Sequence, residues 1–425
     1  MAASDAHPVL RASQLAKLQL LMRAVSNSDG FYPNKYRAAG CDPLAVTTPA
    51  EFAKLPLTTK AELAADQVNH PPYGTNLLQP QSEYCRVHQT SGTTTGRPLR
   101  WLDTAASWNW LLDCWWDGFH DCMGLTPDDR VFFPFSFGPF LGFWAAFEAV
   151  TRAGHFAISG GGMPTTTRLR TILEHRATVV CCTPTYALHL AEVAEAEKID
   201  LHQSGVRAVV VAGEPGGSIP TTRERIAGVW GARVYDHYGL TEVGPVAFET
   251  TERPNEMRLL ESKFLVEVLD PVSGLPSESG ELVLTNLGRL GSPLIRYRTG
   301  DLVTLSPDRD GAGNCYLVGG ILSRADDMIH LRGNNLYPSA IEAVIRRFRE
   351  VVEFRIVVDQ SEALADLKIE IEPADNSNGV NLAESVSRAI RDDLLFRAEV
   401  VAVAPGTLPR FELKSQRVVR LKKSV

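Results

Sequence analysis

The chain has 425 residues, 44% of them hydrophobic and 22% charged, and a formal net charge of -7 at pH 7. That length allows roughly two or three domains around a large core. The acidic balance leaves no basic footprint for nucleic acid or an anionic membrane, apart from the short basic tail between Lys414 and Lys423. Seven cysteines form no Cys-x-x-Cys pair, which fits a reducing compartment. Leu15–Val25 is interrupted by Lys17, Gln19 and Arg23, so it does not read as a secretory leader, and no run has the length of a transmembrane helix. The expectation is a soluble, cytoplasmic protein.

In chain order, the spacing of Leu15, Leu18, Leu21, Met22 and Val25 predicts a helix over 13–25, stopped by Ser28-Asp29-Gly30. Thr58 or Thr59 is placed to cap a short helix running through Leu63. Tyr84–His88 and Leu99–Leu102 read as strands flanking Ser91-Gly92-Thr93-Thr94-Thr95-Gly96-Arg97, a hairpin tip. Small residues let backbone N–H groups converge on an anion and the hydroxyls add donors, so phosphate is the natural guest, with a plain Gly/Thr-rich turn as the alternative reading of the loop by itself. A Walker-type loop is excluded because Gly92 and Gly96 are too close and Arg97-Pro98 replaces Lys-Ser/Thr.

Ala105–Cys122 reads as a helix carrying Trp108, Trp110, Trp115 and Trp116, with a core role preferred over a ligand-facing wall. Strand Val131–Pro134 leads into a turn with Phe135, Phe137 and Phe140, open either to packing or to a pocket for a flat apolar substrate, and then to helix Leu141–Ala153. Strand Thr178–Cys182, helix Thr185–Glu197, strand Val206–Ala212, helix Ile219–Trp230 and strand Arg233–Tyr235 alternate, which indicates parallel βαβ units. Gly213-Glu214-Pro215 and Asp236-His237-Tyr238-Gly239-Leu240-Thr241-Glu242 fall just past predicted strand ends, where open α/β sheets bind ligands. From Phe264 the pattern turns to β, with strands Phe264–Leu269, Glu281–Thr285 and Leu302–Leu305 around Tyr297-Arg298-Thr299-Gly300-Asp301. Beyond Ser323-Arg324-Ala325-Asp326-Asp327-Met328 a small α+β unit follows. It has helix Ser339–Phe348, strands Val352–Val358 and Leu367–Glu372, helix Val380–Phe396 and strand Glu399–Val403, and it ends in a tail containing Lys414.

The Thr/Gly loop, Tyr-Gly-Leu-Thr-Glu (238–242), Tyr-Arg-Thr-Gly-Asp-Leu (297–302), Arg-Ala-Asp-Asp-Met (324–328) and the C-terminal lysine stand in one order along the chain. That series resembles the acyl-adenylate-forming superfamily, most closely its phenylacetate–CoA ligase branch, and covers nearly the whole sequence. The resemblance implies an α/β fold: a large N-terminal adenylation domain over 1–325, with a parallel βαβ sheet and a β subdomain, and a small mobile C-terminal α+β lid over 326–425.

It also implies ATP, Mg²⁺ and CoA as the cofactors, and two steps: a carboxylate attacks the α-phosphorus of ATP, then the CoA thiol attacks the acyl carbon and releases AMP. By the same resemblance Ser91, Gly92, Thr93, Thr94, Thr95, Gly96 and Arg97 hold the triphosphate, Thr241 contacts the α-phosphate, and Glu242 ligates Mg²⁺. Gly213, Glu214 and Pro215 wall the adenine pocket, Tyr238 stacks on the base beside His237 and Gly239, which also line the nucleotide site, and Asp236 accepts from its amino group. Asp301 accepts from the ribose hydroxyls with help from Arg324, and Lys414 bridges carboxylate and phosphate oxygens. Asp326 is the hinge, while Phe135, Phe137, Phe140 and His237 are candidates for the acyl pocket. Three threonines separate the loop glycines where the common pattern has two residues, and Phe411-Glu412-Leu413 precedes the lysine where relatives often have a small residue. The cysteines show no zinc cluster, so no zinc is expected. A homodimer is implied by family analogy alone. The alternatives are transfer to an amine or a carrier-protein thiol, or a silent nucleotide-binding homologue. Retention of Glu242, Asp301, Arg324 and Lys414 weighs against the last.

Overall fold

The structure, a computed structural model, describes residues 11–90, 98–306, 310–325, 329–331, 334–359, 366–374, 378–396, 398–411 and 415–421. Two compact units make up the chain. The first is Met1–Gly162, Ala177–Val179 and Tyr235–Gly320; the second is Met163–Arg176, Val180–Val234 and Ile321–Val425.

The first unit opens on helix Ala12–Ser26, whose Leu18, Leu21, Met22 and Val25 pack with Tyr32, Tyr36, Phe52, Leu55 and Ile295. Helix Lys60–Asn69 begins where predicted, because Thr59 and Glu62 form a reciprocal capping box. Strands Tyr84–Gln89 and Arg100–Thr104 pair antiparallel as the predicted hairpin. Thr104 then caps helix Ala105–Asp117, which buries Trp108 and Trp115 as core and ends earlier than expected in a π-turn over Gly118–Cys122. Strand Arg130–Phe133 pairs parallel with Phe156–Ser159. The latter is a strand the sequence reading missed because glycines 160–162 follow it directly.

Beyond Tyr235 the same unit is antiparallel. Gly244–Glu249 pairs with the strand before it and with Glu256–Leu259, and the latter pairs with Tyr316–Val318. The predicted strand Arg233–Tyr235 runs on to Leu240, so Asp236, His237, Tyr238 and Gly239 lie within it rather than past its end. Pairing explains the extension: His237 faces Phe248 and Tyr238 faces Ala247, which satisfies backbone groups that a polar, glycine-bearing sequence led us to place in a loop. Phe264–Leu269, Ser279–Asn286 and Tyr297–Thr304 form an antiparallel meander. The Tyr-Arg-Thr-Gly-Asp motif, expected between strands, is itself the start of the third.

In the second unit, helix Thr165–Glu174 was missed, its threonines and arginines masking a weak apolar face. Strands Val179–Cys182 and Ala208–Val211 are separated by helix Pro184–Ala196, with Thr183 as cap and Pro184 at the first helical position; helix Pro220–Trp230 follows. A four-stranded sheet runs in the order Glu399–Ala402, Asp366–Pro373, Val351–Asp359, Val418–Leu421. Its two outer pairings are parallel and its central one antiparallel. Helix Gly379–Leu394 contributes Val386 and Ile390, and helix Pro338–Ile345 contributes Ile341 and Ile345, to a core with Phe354, Ile356, Ile369 and Ile371. No helix among the described residues is long and apolar enough to cross a membrane.

Candidate active site

In the first unit the strand Tyr297–Thr304 gathers the residues that sequence had singled out. Side chains alternate across a strand, so Tyr297, Thr299 and Asp301 share its buried face. The Tyr297 hydroxyl donates to Glu242 Oε1 at 3.3 Å, and two pleats along the Tyr238 hydroxyl donates to Asp301 Oδ2 at 2.5 Å. Glu242 and Asp301 are each 3% exposed. Thr241, half-buried, adjoins Glu242 in the turn Thr241–Val243 that follows the long strand. Buried carboxylates need paired donors or cations. Glu242 has a second partner of that kind, since Lys60 Nζ lies 3.0 Å from its Oε1.

The Thr241–Glu242 turn is gripped from behind. Arg289 Nη1 donates to the carbonyls of Thr241 and Glu242 at 2.8 and 2.9 Å, while its Nε and Nη2 form a fork on Asp103 at 2.6 and 2.7 Å. Both side chains of that ion pair are fully buried. Burial works against the Asp103 carboxylate, yet Arg289 and His88 outweigh it and hold its pKa below the ordinary value. His88 Nδ1 is 3.9 Å from Asp103, and His88 lies on the strand that enters the Thr/Gly loop. At the neck of that loop Thr90 N donates to Leu99 O and Leu99 N to Thr90 Oγ1. Sequence reasoning missed Asp103, Arg289 and Lys60. The ion pair spans 186 positions and carries no local signal, and Thr58-Thr59-Lys60 was read only for its capping hydroxyls.

Of the remaining candidates, Phe135 is buried against Phe133, Phe137 and Phe143, Phe137 packs on Trp144 and Phe147, and Phe140 meets Phe143 edge-on. This aromatic turn touches the loop hairpin, where Gln89 N donates to Pro139 O at 3.0 Å. His237 is elsewhere in the unit, stacked on Phe248 and edge-on to Trp115, with its Nδ1 buried and unbonded. Burial depresses its pKa to about 3 despite a backbone hydrogen bond at Tyr238. The Asp236 amide donates to Glu249 at 3.1 Å, and Gly239 brings its backbone against Gly244 and Pro245, leaving no room for a Cβ.

In the second unit, Gly213 has a left-handed φ of 93° and Arg324 lies half-buried in the short strand Ser323–Arg324. Glu214 accepts from the Thr185 and Ser415 amides at 3.0 and 2.6 Å. Ser91 to Arg97, Asp326 and Lys414 lie outside the described residues.

Comparison with known proteins converges on one family. The AMP-binding enzyme family matches residues 38–286, and the AMP-binding enzyme C-terminal domain matches residues 333–422. The chain belongs to this family. Phenylacetate-coenzyme A ligase of Pseudomonas putida is 30% identical over 96% of the chain and 93% of its own length. The enzyme of the same name from Thermus thermophilus is also 30% identical, over 97% of each. Among solved structures, 2-hydroxyisobutyryl-CoA ligase in the postadenylation state with 2-HIB-AMP superposes with a TM-score of 0.90 at 28% identity, covering 99% of this chain and 94% of that one. The same ligase with 2-HIB-AMP and CoA gives 0.72. The fold is thus the α/β fold of the adenylate-forming enzymes, in their phenylacetate–CoA ligase-like branch, as the motif series implied.

Proposed function

We propose that this protein is an AMP-forming acid–CoA ligase acting on an aromatic carboxylic acid. The carboxylate attacks the α-phosphorus of ATP, the bond to pyrophosphate breaks, and the CoA thiol then displaces AMP from the acyl carbon. The observation that carries the reading is the single strand face on which Tyr297 reaches Glu242 and Asp301 reaches Tyr238. It joins the carboxylate assigned to the metal to the one assigned to the nucleoside, within a chain that matches the family over residues 38–286 and 333–422.

Two anions must meet in the first step, so the site has to supply positive charge and donors. Glu242 offers a hard oxygen ligand, and the Lys60 ammonium against it supports a cation at that oxygen. Among the described residues no group of three or more His, Cys, Asp or Glu side chains is arranged to hold a metal. Glu242 would hold a magnesium ion, which would neutralise phosphate charge. Thr241 contacts the α-phosphate, and its carbonyl is fixed by Arg289. Asp301 accepts from the ribose, and the Tyr238 ring stacks on adenine with its hydroxyl anchored on Asp301. Ser91 to Arg97 bind the triphosphate, Lys414 bridges the reacting anions, and the segment from Asp326 onward acts as the lid. The separate C-terminal match and the separate hydrophobic core of that segment support the last assignment. The aromatic turn at Phe135–Phe140, next to the loop hairpin, supports a ring on the acid. Seven free cysteines support work in a reducing cytoplasm.

Nucleotide product analysis tests this. The protein is incubated with Mg·ATP and a panel of aryl and arylacetic acids, with and without CoA. AMP and pyrophosphate are expected with a particular acid, with continuous turnover only when CoA is present. ADP as product, or acyl-AMP that CoA does not consume, rules the reading out.

A further inference from the structure

The second unit contains a buried ionic cluster around Arg417 which, apart from the adjoining Glu214, none of the roles above uses. Arg417, only 6% exposed, spends its guanidinium on four partners. Nε and Nη2 fork onto the two oxygens of Glu353 at 2.6 and 3.0 Å. Nη2 also donates to Thr185 Oγ1 at 3.0 Å, and Nη1 donates to Ser415 Oγ at 2.9 Å and Glu342 Oε1 at 3.4 Å. The cation lies 5.0 Å above the Phe354 ring. Downstream, the Arg417 carbonyl accepts from Ile356 N at 2.7 Å, where Val418–Leu421 joins the sheet. Upstream, Ser415 N gives its hydrogen to Glu214, whose other oxygen accepts from Thr185 N in the first turn of helix Pro184–Ala196.

Strand anchoring accounts for Val418 onward. It does not account for a desolvated arginine reaching a hydroxyl 232 positions away, or for a carboxylate joining that same helix terminus to the tail. Both arms converge on one place. The Ser415 amide held by Glu214 is the nitrogen of the Lys414–Ser415 peptide bond, and Arg417 fixes the Ser415 side chain. Thr185 and Glu214 belong to the stretch matched by the AMP-binding family, Ser415 and Arg417 to the stretch matched by its C-terminal domain.

We infer that Arg417, through Thr185 and together with Glu214, is a positioning residue for the adenylation half-reaction: it anchors the tail at Ser415, the residue after Lys414, on Thr185 and Glu214. The inference rests on the reading of Lys414 as the lysine of the first step. Arg417 touches no reacting atom. Its carboxylate partners fix the guanidinium, and the guanidinium fixes the tail.

The test measures the two half-reactions separately on the full chain. The first is acid-dependent exchange of pyrophosphate into ATP; the second is thioester formation from supplied acyl-AMP and CoA. Phenylacetate and phenylacetyl-AMP are the first probes, replaced by the acid that product analysis selects. Arg417→Met is expected to slow exchange roughly 10- to 100-fold, the effect of losing one or two charge-assisted hydrogen bonds, while thioester formation stays within about 2-fold. Arg417→Lys keeps the charge but not the fork and falls between. Thr185→Val, nearly isosteric, shifts exchange in the same direction and decides the matter if Arg417→Met does not fold. Equal loss of both half-reactions, or of neither, in folded Arg417→Met and Thr185→Val overturns the inference. Lys414→Ala is the separate control. If it leaves exchange intact, the reading of Lys414 fails; if it abolishes exchange alone while the other two variants behave as wild type, only the positioning role fails.

Discussion

Arg289→Met strikes the point where folding energy and site geometry meet. In the wild type, Arg289 makes four hydrogen bonds with no solvent access: two to Asp103 and one each to the carbonyls of Thr241 and Glu242. Methionine keeps most of the volume but leaves a buried carboxylate without its cation. Breaking a buried pair from one side costs about 3–5 kcal/mol. Each orphaned carbonyl adds about 1–3 kcal/mol if no water reaches it, and protonation of Asp103 caps the total. A loss of about 3–5 kcal/mol is therefore expected in urea denaturation. Tryptophan fluorescence is a suitable probe because Trp101 lies 5.6 Å from the guanidinium.

The sign with pH is fixed too. In the wild type Asp103 has a depressed pKa, so its contribution is complete above 3.8, the ordinary value, and lost as pH falls through the folded one. In Arg289→Met burial is opposed by His88 alone, so that pKa rises, and the penalty is greatest at neutral pH and shrinks on acidification. The gap between the two proteins should narrow towards pH 4. Half-saturation of exchange by Mg²⁺ should also rise in the folded variant as the Thr241–Glu242 turn loosens. A loss below about 1 kcal/mol, far under the buried-pair cost, or a gap that widens with acid, refutes this account.

Three further outcomes follow from particular contacts. Tyr238→Phe keeps the ring but removes the donor to Asp301; a stability loss of about 1.5–3 kcal/mol is expected for a charge-assisted bond, with a smaller rise in the KM for ATP than in Tyr238→Ala, and equal KM effects would remove the stacking role. His237 is held neutral, so the unfolded chain binds a proton below about 6.5 that the folded chain refuses until about 3. Stability is therefore lost as pH falls through that window, and His237→Phe should flatten the slope in pH-dependent denaturation. A thiol reagent should modify at most the exposed Cys85 and half-buried Cys41 in the native protein and all seven cysteines in denaturant, the other five being buried; rapid native labelling of Cys181 or Cys182 would contradict their placement in a buried strand.

Much of the fold was legible because local chemistry and tertiary structure agree. Thr59 and Glu62 announce their helix by a reciprocal bond within four residues, and the apolar periods of helices Ala12–Ser26 and Gly379–Leu394 match the faces they bury. The errors fall where a distant partner overrides a local signal. Asp236 to Gly239 read as loop until Gly244–Glu249 paired with them. Phe156–Ser159 is too short to announce itself beside three glycines and depends on Arg130–Phe133. Motif order singled out Glu242, Tyr238 and Asp301, which the fold gathers around one strand. It could not identify Asp103 and Arg289, whose meaning exists only once the chain has brought them together.

The stretch Ile295–Asp301 shows why a motif does not translate evenly into chemistry. Tyr297, Thr299 and Asp301 share its buried face, while Arg296 and Arg298 are braced by carboxylates. Tyr297 and Asp301 turn towards Glu242 and Tyr238. Arg296, in a left-handed conformation with φ of 48°, instead forks onto Glu267 and holds the carbonyls of Ala53 and Leu55, which ties the N-terminal helices to the meander. Arg298 pairs with Glu281 on the neighbouring strand. Both arginines hold the strand in place so that the residues between and beyond them can be aimed. Charge density within a motif therefore does not mark which residues face Glu242 and Tyr238. Parity along the strand does: it sets Tyr297 and Asp301 towards Glu242 and Tyr238 and turns Arg298 away, while Arg296 precedes the strand and is fixed by its own ion pair.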